Sequence, residues 1–119
     1  MEDLLKKHCV PCEGGMPPLS AEKISEYLKQ VPEWRLNEVA VSRGDKHQQI
    51  SRDFKFSDFA EAMKFVNQVA ELAESEGHHP DVIIHWNKVR LDLWTHAING
   101  LFDNDFILAA KIDNLAKVA

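Results

Sequence analysis

A long amphipathic run in the middle of the chain is stopped abruptly by Gly77-His78-His79-Pro80. Apolar residues recur at spacings of three and four over residues 58 to 76, which predicts the longest helix of the chain. A glycine just past a helix end, followed closely by a proline, is the expected stop signal. Two adjacent imidazoles are therefore expected on a backbone turn at the end of a rigid element, where functional side chains often lie.

Two helices can be outlined from their caps and apolar spacing. Ser57-Asp58 is predicted to cap the long helix, and Ser20 to cap a shorter one that ends at Pro32. The predicted core stripe of the long helix is Phe59, Met63, Val66, Ala70 and Ala73, widened by Ala62, Val69 and Leu72. The predicted core positions of the short helix are Ile24, Tyr27, Leu28 and Val31.

The segment between these helices predicts a hairpin. Its first strand runs from Trp34 to Val41 with an irregularity near Asn37-Glu38, and residues 43–46 have turn composition. In the second strand, Ile50, Arg52, Phe54 and Phe56 share one face, with Ser51, Asp53 and Lys55 on the other.

A second hairpin and a last helix follow the histidine turn. Residues 82–84 and 89–93 are the predicted strands, joined by a turn at Asn87-Lys88. Asp103 is predicted to cap the last helix, with Asp105 in its first turn, where the helix dipole favours a carboxylate. The apolar positions of this helix are Ile107, Leu108, Ile112, Leu115 and Val118.

The order helix, hairpin, helix, hairpin, helix indicates an α+β domain. Helices that alternate with hairpins favour an antiparallel sheet with helices packed on one face. A length of 119 residues fits one domain. We assign residues 1–18 to an N-terminal arm and residues 19–119 to that domain.

Composition excludes some function classes. The net charge of −5 disfavours nonspecific nucleic-acid binding, which needs clustered Lys and Arg. No apolar run has the roughly 20 residues needed to cross a bilayer, and the N-terminus lacks a signal-peptide core. We expect a cytoplasmic protein that binds neither membrane nor nucleic acid.

The two cysteines, Cys9 and Cys12, form a lone Cys-Val-Pro-Cys motif. Such a pair supplies half of a structural zinc site, and His8 adds at most a third ligand. A redox motif of this kind normally opens a helix, whereas Glu13-Gly14-Gly15 follows here. We interpret the motif as inert or locally structural.

The candidate site consists of six residues that carry acid, base or aromatic groups: Glu74, His78, His79, Trp86, His96 and Asp105. A strand that leaves the histidine turn and another that returns would bring His96 back towards His78 and His79. Imidazoles titrate near neutrality, and a carboxylate beside one fixes its tautomer. Several histidines without a Ser or Cys nucleophile fit acid–base chemistry.

Other interpretations stay open from the residues alone. The histidines could simply cap the helix end, or three histidines and a carboxylate could bind zinc or iron, although adjacent histidines rarely chelate one ion. We interpret His8, His47 and His85 as structural or solvated, because they lack company in the sequence. Trp86 and Trp94 fit either core packing or a stacking wall for a flat ligand.

The motif Glu74-x3-His78-His79-Pro80-x5-Trp86, followed by Thr95-His96, Gly100-Leu101 and Asp105, resembles the signature of pterin-4a-carbinolamine dehydratases. The turn sequence Asn87-Lys88-Val89 and the upstream Cys-Val-Pro-Cys-Glu-Gly-Gly and Pro-Pro-Leu are also similar to members of that family. The resemblance extends from about residue 8 to the end of the chain.

The resemblance implies a four-stranded antiparallel sheet with helices on one side. It also implies dehydration of 4a-hydroxytetrahydropterin to quinonoid dihydropterin, without a metal or organic cofactor. By position, His78, His79 and His96 correspond to the family's active-site histidines. Glu74 and Asp105 correspond to its acidic positions, with Asp105 expected to orient His96. Pro80 belongs to the motif, and the pterin is expected to rest near Trp86.

The resemblance further implies partners. Pterin recycling links the reaction to aromatic amino acid hydroxylases, and a homo-oligomer is expected. Some members also bind a homeodomain transcription factor. The alternative function is therefore a non-catalytic module that binds a pterin or a protein partner.

Overall fold

Three helices and four strands follow one another in the predicted order. The computed structural model describes residues 3–10, 16–40 and 46–118. The helices are α1 (Ala21–Leu28), α2 (Phe59–Glu76) and α3 (Asp103–Val118); the strands are β1 (Arg35–Ala40), β2 (Lys46–Lys55), β3 (Asp81–His85) and β4 (Lys88–Leu93). Two short 3-10 turns, Leu4–Lys6 and His96–Ile98, complete the described elements. The predicted α+β class is confirmed.

The four strands form one antiparallel sheet in the order β1-β2-β4-β3. Alternate residues of the two central strands belong to the core together with residues of the helices; they are Ile50, Phe54, Val89, Leu91 and Leu93. The opposite, open face of the sheet is polar. There Ser51 donates to Asp92 and accepts from Asn37 at 3.0 Å. Strand β3 lies at an edge, and all five of its residues are exposed.

The irregularity predicted near Asn37-Glu38 is wrong. Residues Arg35–Ala40 pair without interruption with residues 46 to 51 of β2. Polar residues that broke the apolar alternation in the sequence are tolerated because one face of this edge hairpin is solvated. Val41 and most of the predicted turn at 43–46 lie outside the described residues.

The second hairpin turns one residue earlier than predicted, at Trp86-Asn87. Trp86 adopts a positive φ of 56°. The side-chain Nδ2 of Asn87 donates to the backbone carbonyl of Phe56 at 3.0 Å. The backbone carbonyl of Asn87 accepts from the Phe56 N–H at 2.8 Å. These bonds to the end of β2 hold Asn87 in the turn, so Lys88 already belongs to β4.

The buried face of α2 is centred on Ala62, Phe65, Val69 and Ala73. Phe59, which the prediction placed in the core stripe, is 51% exposed. The buried face of the helix is therefore rotated relative to the predicted stripe. Phe65 fixes the rotation: its ring lies 4.7 Å from that of Phe54 and 5.2 Å from that of Phe56. A large aromatic side chain at the sheet outweighs the smaller apolar residues of the alternative face.

Helix α3 is buried almost all round in its first half. The buried residues there are Phe106, Ile107, Leu108, Ala109, Ala110 and Ile112. Asp103 is its first helical residue rather than its cap, while Asp105 lies in the first turn as predicted. Within the described ranges, no helix combines the length and the apolar composition that a membrane span requires.

Described residues of the N-terminal segment contact the rest of the chain. Leu4 is fully buried, and its N–H donates to the Gln30 side chain at 3.0 Å. Further on, the side-chain amide of Asn104 accepts from the Val10 N–H at 2.9 Å and donates to the Val10 carbonyl at 2.6 Å. The arm thus reaches the start of α3, one residue before Asp105.

Glu76, the last residue of α2, joins the arm to α3. Its side chain is 7% exposed and accepts from Lys111 Nζ at 2.8 Å, the Cys9 N–H at 2.8 Å and His8 Nδ1 at 3.2 Å. Burial raises the Glu76 pKa, but these hydrogen bonds and the Lys111 charge outweigh it and hold the pKa at about 2. The His8 side chain is 82% exposed, which agrees with its interpretation as structural or solvated.

We predict that Glu76→Gln lowers the free energy of unfolding at pH 7 by about 2 kcal/mol. The folded-state pKa of Glu76 lies below its ordinary value of 4.5, so its stabilisation is present above pH 4.5 and is lost as the pH falls towards 2. Urea unfolding at several pH values should show the difference between wild type and variant shrinking on acidification. Glu71→Gln, at an exposed position of α2, is the control; an equal loss there would contradict the prediction.

Candidate active site

The histidine turn is built into the end of α2. Gly77 adopts the left-handed conformation with φ of 68°. Its N–H donates to the Glu74 carbonyl, and the His78 N–H donates to the Ala73 carbonyl, each at 3.3 Å. These two bonds are those of a Schellman motif, which confirms the predicted stop at Gly77. The His78 backbone is therefore part of the helix cap and has a fixed position.

A buried carboxylate organises the site. Asp105 is fully buried, and its Oδ1 lies 2.6 Å from His78 Nε2. Its Oδ2 accepts from Thr95 Oγ1 at 2.8 Å and from the Phe102 N–H at 2.9 Å. Asp105 was expected to orient His96, and that pairing is wrong: the carboxylate orients His78 and holds Thr95, the residue before His96.

The short hydrogen bond to Asp105 determines which nitrogen of the His78 ring carries a proton. A carboxylate only accepts, so His78 Nε2 carries the proton in this bond. When the ring is neutral, its lone pair is on Nδ1, and that nitrogen can accept a proton.

His79 and Glu74 form a second pair at the surface. His79 Nε2 donates to Glu74 Oε1 at 2.7 Å, with side-chain exposures of 59% and 78%. Because solvent screens this pair, it fixes the ring weakly compared with the buried Asp105 contact. The site therefore contains one rigid and one adaptable imidazole on adjacent residues.

His96 begins the 3-10 turn that follows β4. Thr95 and Gly100 close this loop through reciprocal backbone bonds of 2.8 and 3.3 Å. Gly100 leaves room for Pro18, since an added Cβ would lie 2.9 Å from the proline ring. The His96 side chain is exposed and stacks on Trp94. Through Asp105 and Thr95, the loop that carries His96 is joined to His78.

The structure does not bring Trp86 to these histidines. Trp86 is 65% exposed at the turn between β3 and β4, the opposite end of the hairpin from Asp81. Pro80, by contrast, directly joins His79 to β3 and so lies in the histidine turn. Trp94 is the tryptophan beside the site, and its Nε1 donates to Asp81 Oδ2 at 3.4 Å.

Sequence reasoning missed His47. The sequence leaves it as structural or solvated without indicating a partner; the structure buries it on β2, where it stacks on Trp94. No local signal marks it, because the contact depends on the pairing of β2 with β4. His85 is exposed on β3, as interpreted.

The cysteine motif falls partly outside the described residues, which include Cys9 but not Cys12. Burial, reinforced by the Glu76 carboxylate, raises the pKa of the Cys9 thiol to about 12. The thiol is therefore protonated near neutrality and is a poor nucleophile. Among the residues that the structure describes, no three His, Cys, Asp or Glu side chains are grouped to hold a metal ion.

We predict that Asp105→Asn destabilises the fold by about 2–3 kcal/mol in urea unfolding at pH 7. An amide has one accepting atom, so it cannot accept both from His78 and from the Thr95 and Phe102 donors. The matched control is Asp103→Asn, whose carboxylate is 30% exposed and lies 3.7 Å from Lys7 Nζ. There we expect a loss below about 1 kcal/mol. Equal losses in the two variants would contradict the prediction.

Comparisons with known proteins identify the family of the chain. The model of the family described as pterin 4 alpha carbinolamine dehydratase matches residues 17–115. A protein of Methylococcus capsulatus provisionally named pterin-4-alpha-carbinolamine dehydratase is 47% identical, covering 98% of this chain and 96% of its own length. A relative from Chlorobium luteolum with the same provisional name is also 47% identical, covering 97% of this chain and 96% of its own length.

Two solved structures share the fold. The transcriptional coactivator/pterin dehydratase from Brucella melitensis is 32% identical with a TM-score of 0.70, covering 83% of this chain and 98% of that one. A pterin dehydratase-like protein described as a RuBisCO assembly factor in the alpha-carboxysome is 24% identical, with a TM-score of 0.57, covering 71% and 89% of the two chains; this likeness concerns the fold alone. On the family model and the full-length relatives, the chain belongs to the pterin-4-alpha-carbinolamine dehydratase family.

Proposed function

We propose that the chain is a dehydratase that converts 4a-hydroxytetrahydropterin to quinonoid dihydropterin and water. The observation that carries the proposal is the buried 2.6 Å contact between His78 and Asp105, beside His79 and the loop of His96. A rigid imidazole paired with a carboxylate, next to two exposed imidazoles, suits proton transfer near neutrality.

The reaction needs two proton transfers and no redox step. The C4a–O bond breaks as a ring-nitrogen lone pair forms a double bond to C4a, so the hydroxyl must gain a proton to leave as water. The ring nitrogen then loses its proton. One imidazolium and one neutral imidazole supply both transfers, each with an effect of about 10²–10⁴-fold.

We assign the two transfers to His78 and His96, and substrate binding to His79 with Glu74. Support for this division comes from burial. His78 is 12% exposed and held by Asp105, which suits a group that must meet one ring atom repeatedly. His79 is open to solvent, which suits a contact that forms when the pterin enters.

We further propose that a homo-oligomer acts in the cytoplasm on the product of an aromatic amino acid hydroxylase. The 4a-hydroxylated pterin is the proposed link between the two enzymes, so its source and its consumer should share a compartment. No resident metal or organic cofactor enters the proposed mechanism.

A protein-binding role is the second candidate. Val82, Ile83 and Ile84 on edge strand β3 are 40%, 48% and 38% exposed, an apolar edge that could pair with another chain. The Brucella melitensis structure carries the double description of coactivator and dehydratase. This role would survive loss of the histidines, whereas pterin turnover would not.

We predict that the protein accelerates the decay of freshly generated 4a-hydroxytetrahydropterin in stopped-flow absorbance. His78→Ala and His96→Ala should each lower the turnover rate by about 10²-fold or more, because each removes one proton transfer. His85→Ala removes an exposed histidine outside the site and should leave turnover unchanged. Equal decay with and without wild-type protein would overturn the enzyme proposal and leave the binding module.

A further inference from the structure

Trp94 is enclosed between two imidazole rings. The ring centroid of His47 lies 3.6 Å from that of Trp94 with an angle of 11° between the planes. On the other side, the His96 ring lies 3.8 Å away at 23°. Both faces of the indole are therefore covered. A flat substrate cannot stack on Trp94 unless one imidazole leaves. Trp94 must therefore contribute to the site through the residues that it contacts.

The edge of the same indole reaches the other histidine segment. Trp94 Nε1 donates to Asp81 Oδ2 at 3.4 Å, and Asp81 directly follows Pro80. Trp94 thus contacts His96 through its face and the end of the histidine turn through its edge. Asp105 joins the same two segments from the buried side, through His78 and Thr95.

His47 supports the stack from behind. It is 5% exposed, and its Nε2 lies 3.3 Å from Gln49 Oε1. Its Nδ1 is buried without a partner among the described residues. An unpaired buried nitrogen reduces stability, and a phenyl ring would stack there without that cost. We therefore attribute the role of the His47 ring to its stacking against Trp94 and not to its hydrogen bonds.

We propose that Trp94 is a positioning residue that fixes the orientation of the His96 imidazole, and that His47 holds Trp94 in place. His96 is exposed, and no hydrogen bond of its ring to a described residue is found; the stack is the contact that restricts its rotation. The catalytic consequence of this placement rests on the proposed dehydratase function. The placement itself does not.

The first test compares Trp94→Leu with Trp94→Phe in the same turnover assay. A misplaced imidazole weakens proton transfer more than binding, so Trp94→Leu should lower kcat by about 10-fold or more with little change in KM. Trp94→Phe retains a stacking ring and should recover most of kcat. Phe59→Leu is the matched control, because it removes an exposed aromatic ring at the other end of α2. Unchanged kcat in Trp94→Leu would overturn the proposal and leave the dehydratase function standing.

A double variant separates positioning from general damage to the fold. If Trp94 acts through His96, adding Trp94→Leu to His96→Ala should cause no further loss of kcat. A loss that multiplies in the double variant would overturn the proposal.

The second readout needs no turnover. In proton NMR, the indole ring should shift the carbon-bound ring protons of His96 upfield, and Trp94→Leu should abolish that shift. His47→Phe should retain the shift, because a ring still supports the indole, and His47→Ala should reduce it. An inactive wild type with the shift present would refute the dehydratase proposal alone. Absence of the shift in wild type would overturn the positioning proposal, whatever the activity.

Discussion

The buried Asp105 carboxylate is the contact on which the rest of the site depends. Taking a carboxylate fully out of water is costly unless each oxygen is hydrogen-bonded. Asp105 meets that requirement with donors from three places in the chain: His78 after α2, Thr95 after β4 and Phe102 before α3. Because the loss of any donor would leave a buried charge incompletely paired, the ends of the sheet and of two helices are held in one arrangement.

The same constraint bears on the choice between enzyme and binding module. A buried polar pair is often no more stabilising than apolar residues of similar volume, so stability alone gives little reason to place an imidazole against Asp105. A module that binds partners through the exposed edge of β3 would still need Asp105 to pair with Thr95 and Phe102, but it would have no use for an imidazole at His78. Proton transfer does need it, since the carboxylate selects the tautomer of the ring and leaves Nδ1 to exchange a proton. The cost of burial therefore favours the dehydratase proposal.

Much of the fold could be predicted from the sequence, because its signals are local. Periodicity located α2 and the two hairpins, and Gly77 with Pro80 marked the turn that carries the histidines. The errors arose where contacts between segments far apart in the sequence determine the local structure. Asn87 is held in its turn by Phe56, and Phe65 sets the rotation of α2 against two rings of β2 and its end. His8, His47 and the partner of Asp105 depend on contacts between residues far apart in sequence, which no spacing rule encodes.

The ring stack of Trp94 restrains a second histidine of the site by a different kind of interaction. Asp105 holds His78 by a hydrogen bond in a buried place, whereas Trp94 holds His96 by ring contact at the surface, where a carboxylate would be screened by water. A hydrogen-bonded His96 would have one ring nitrogen occupied by its partner. A stacked ring keeps both nitrogens available along its edge, so His96 can be oriented and still exchange a proton with either a substrate or solvent. Two imidazoles can therefore be restrained independently, each by the interaction that its own environment makes effective.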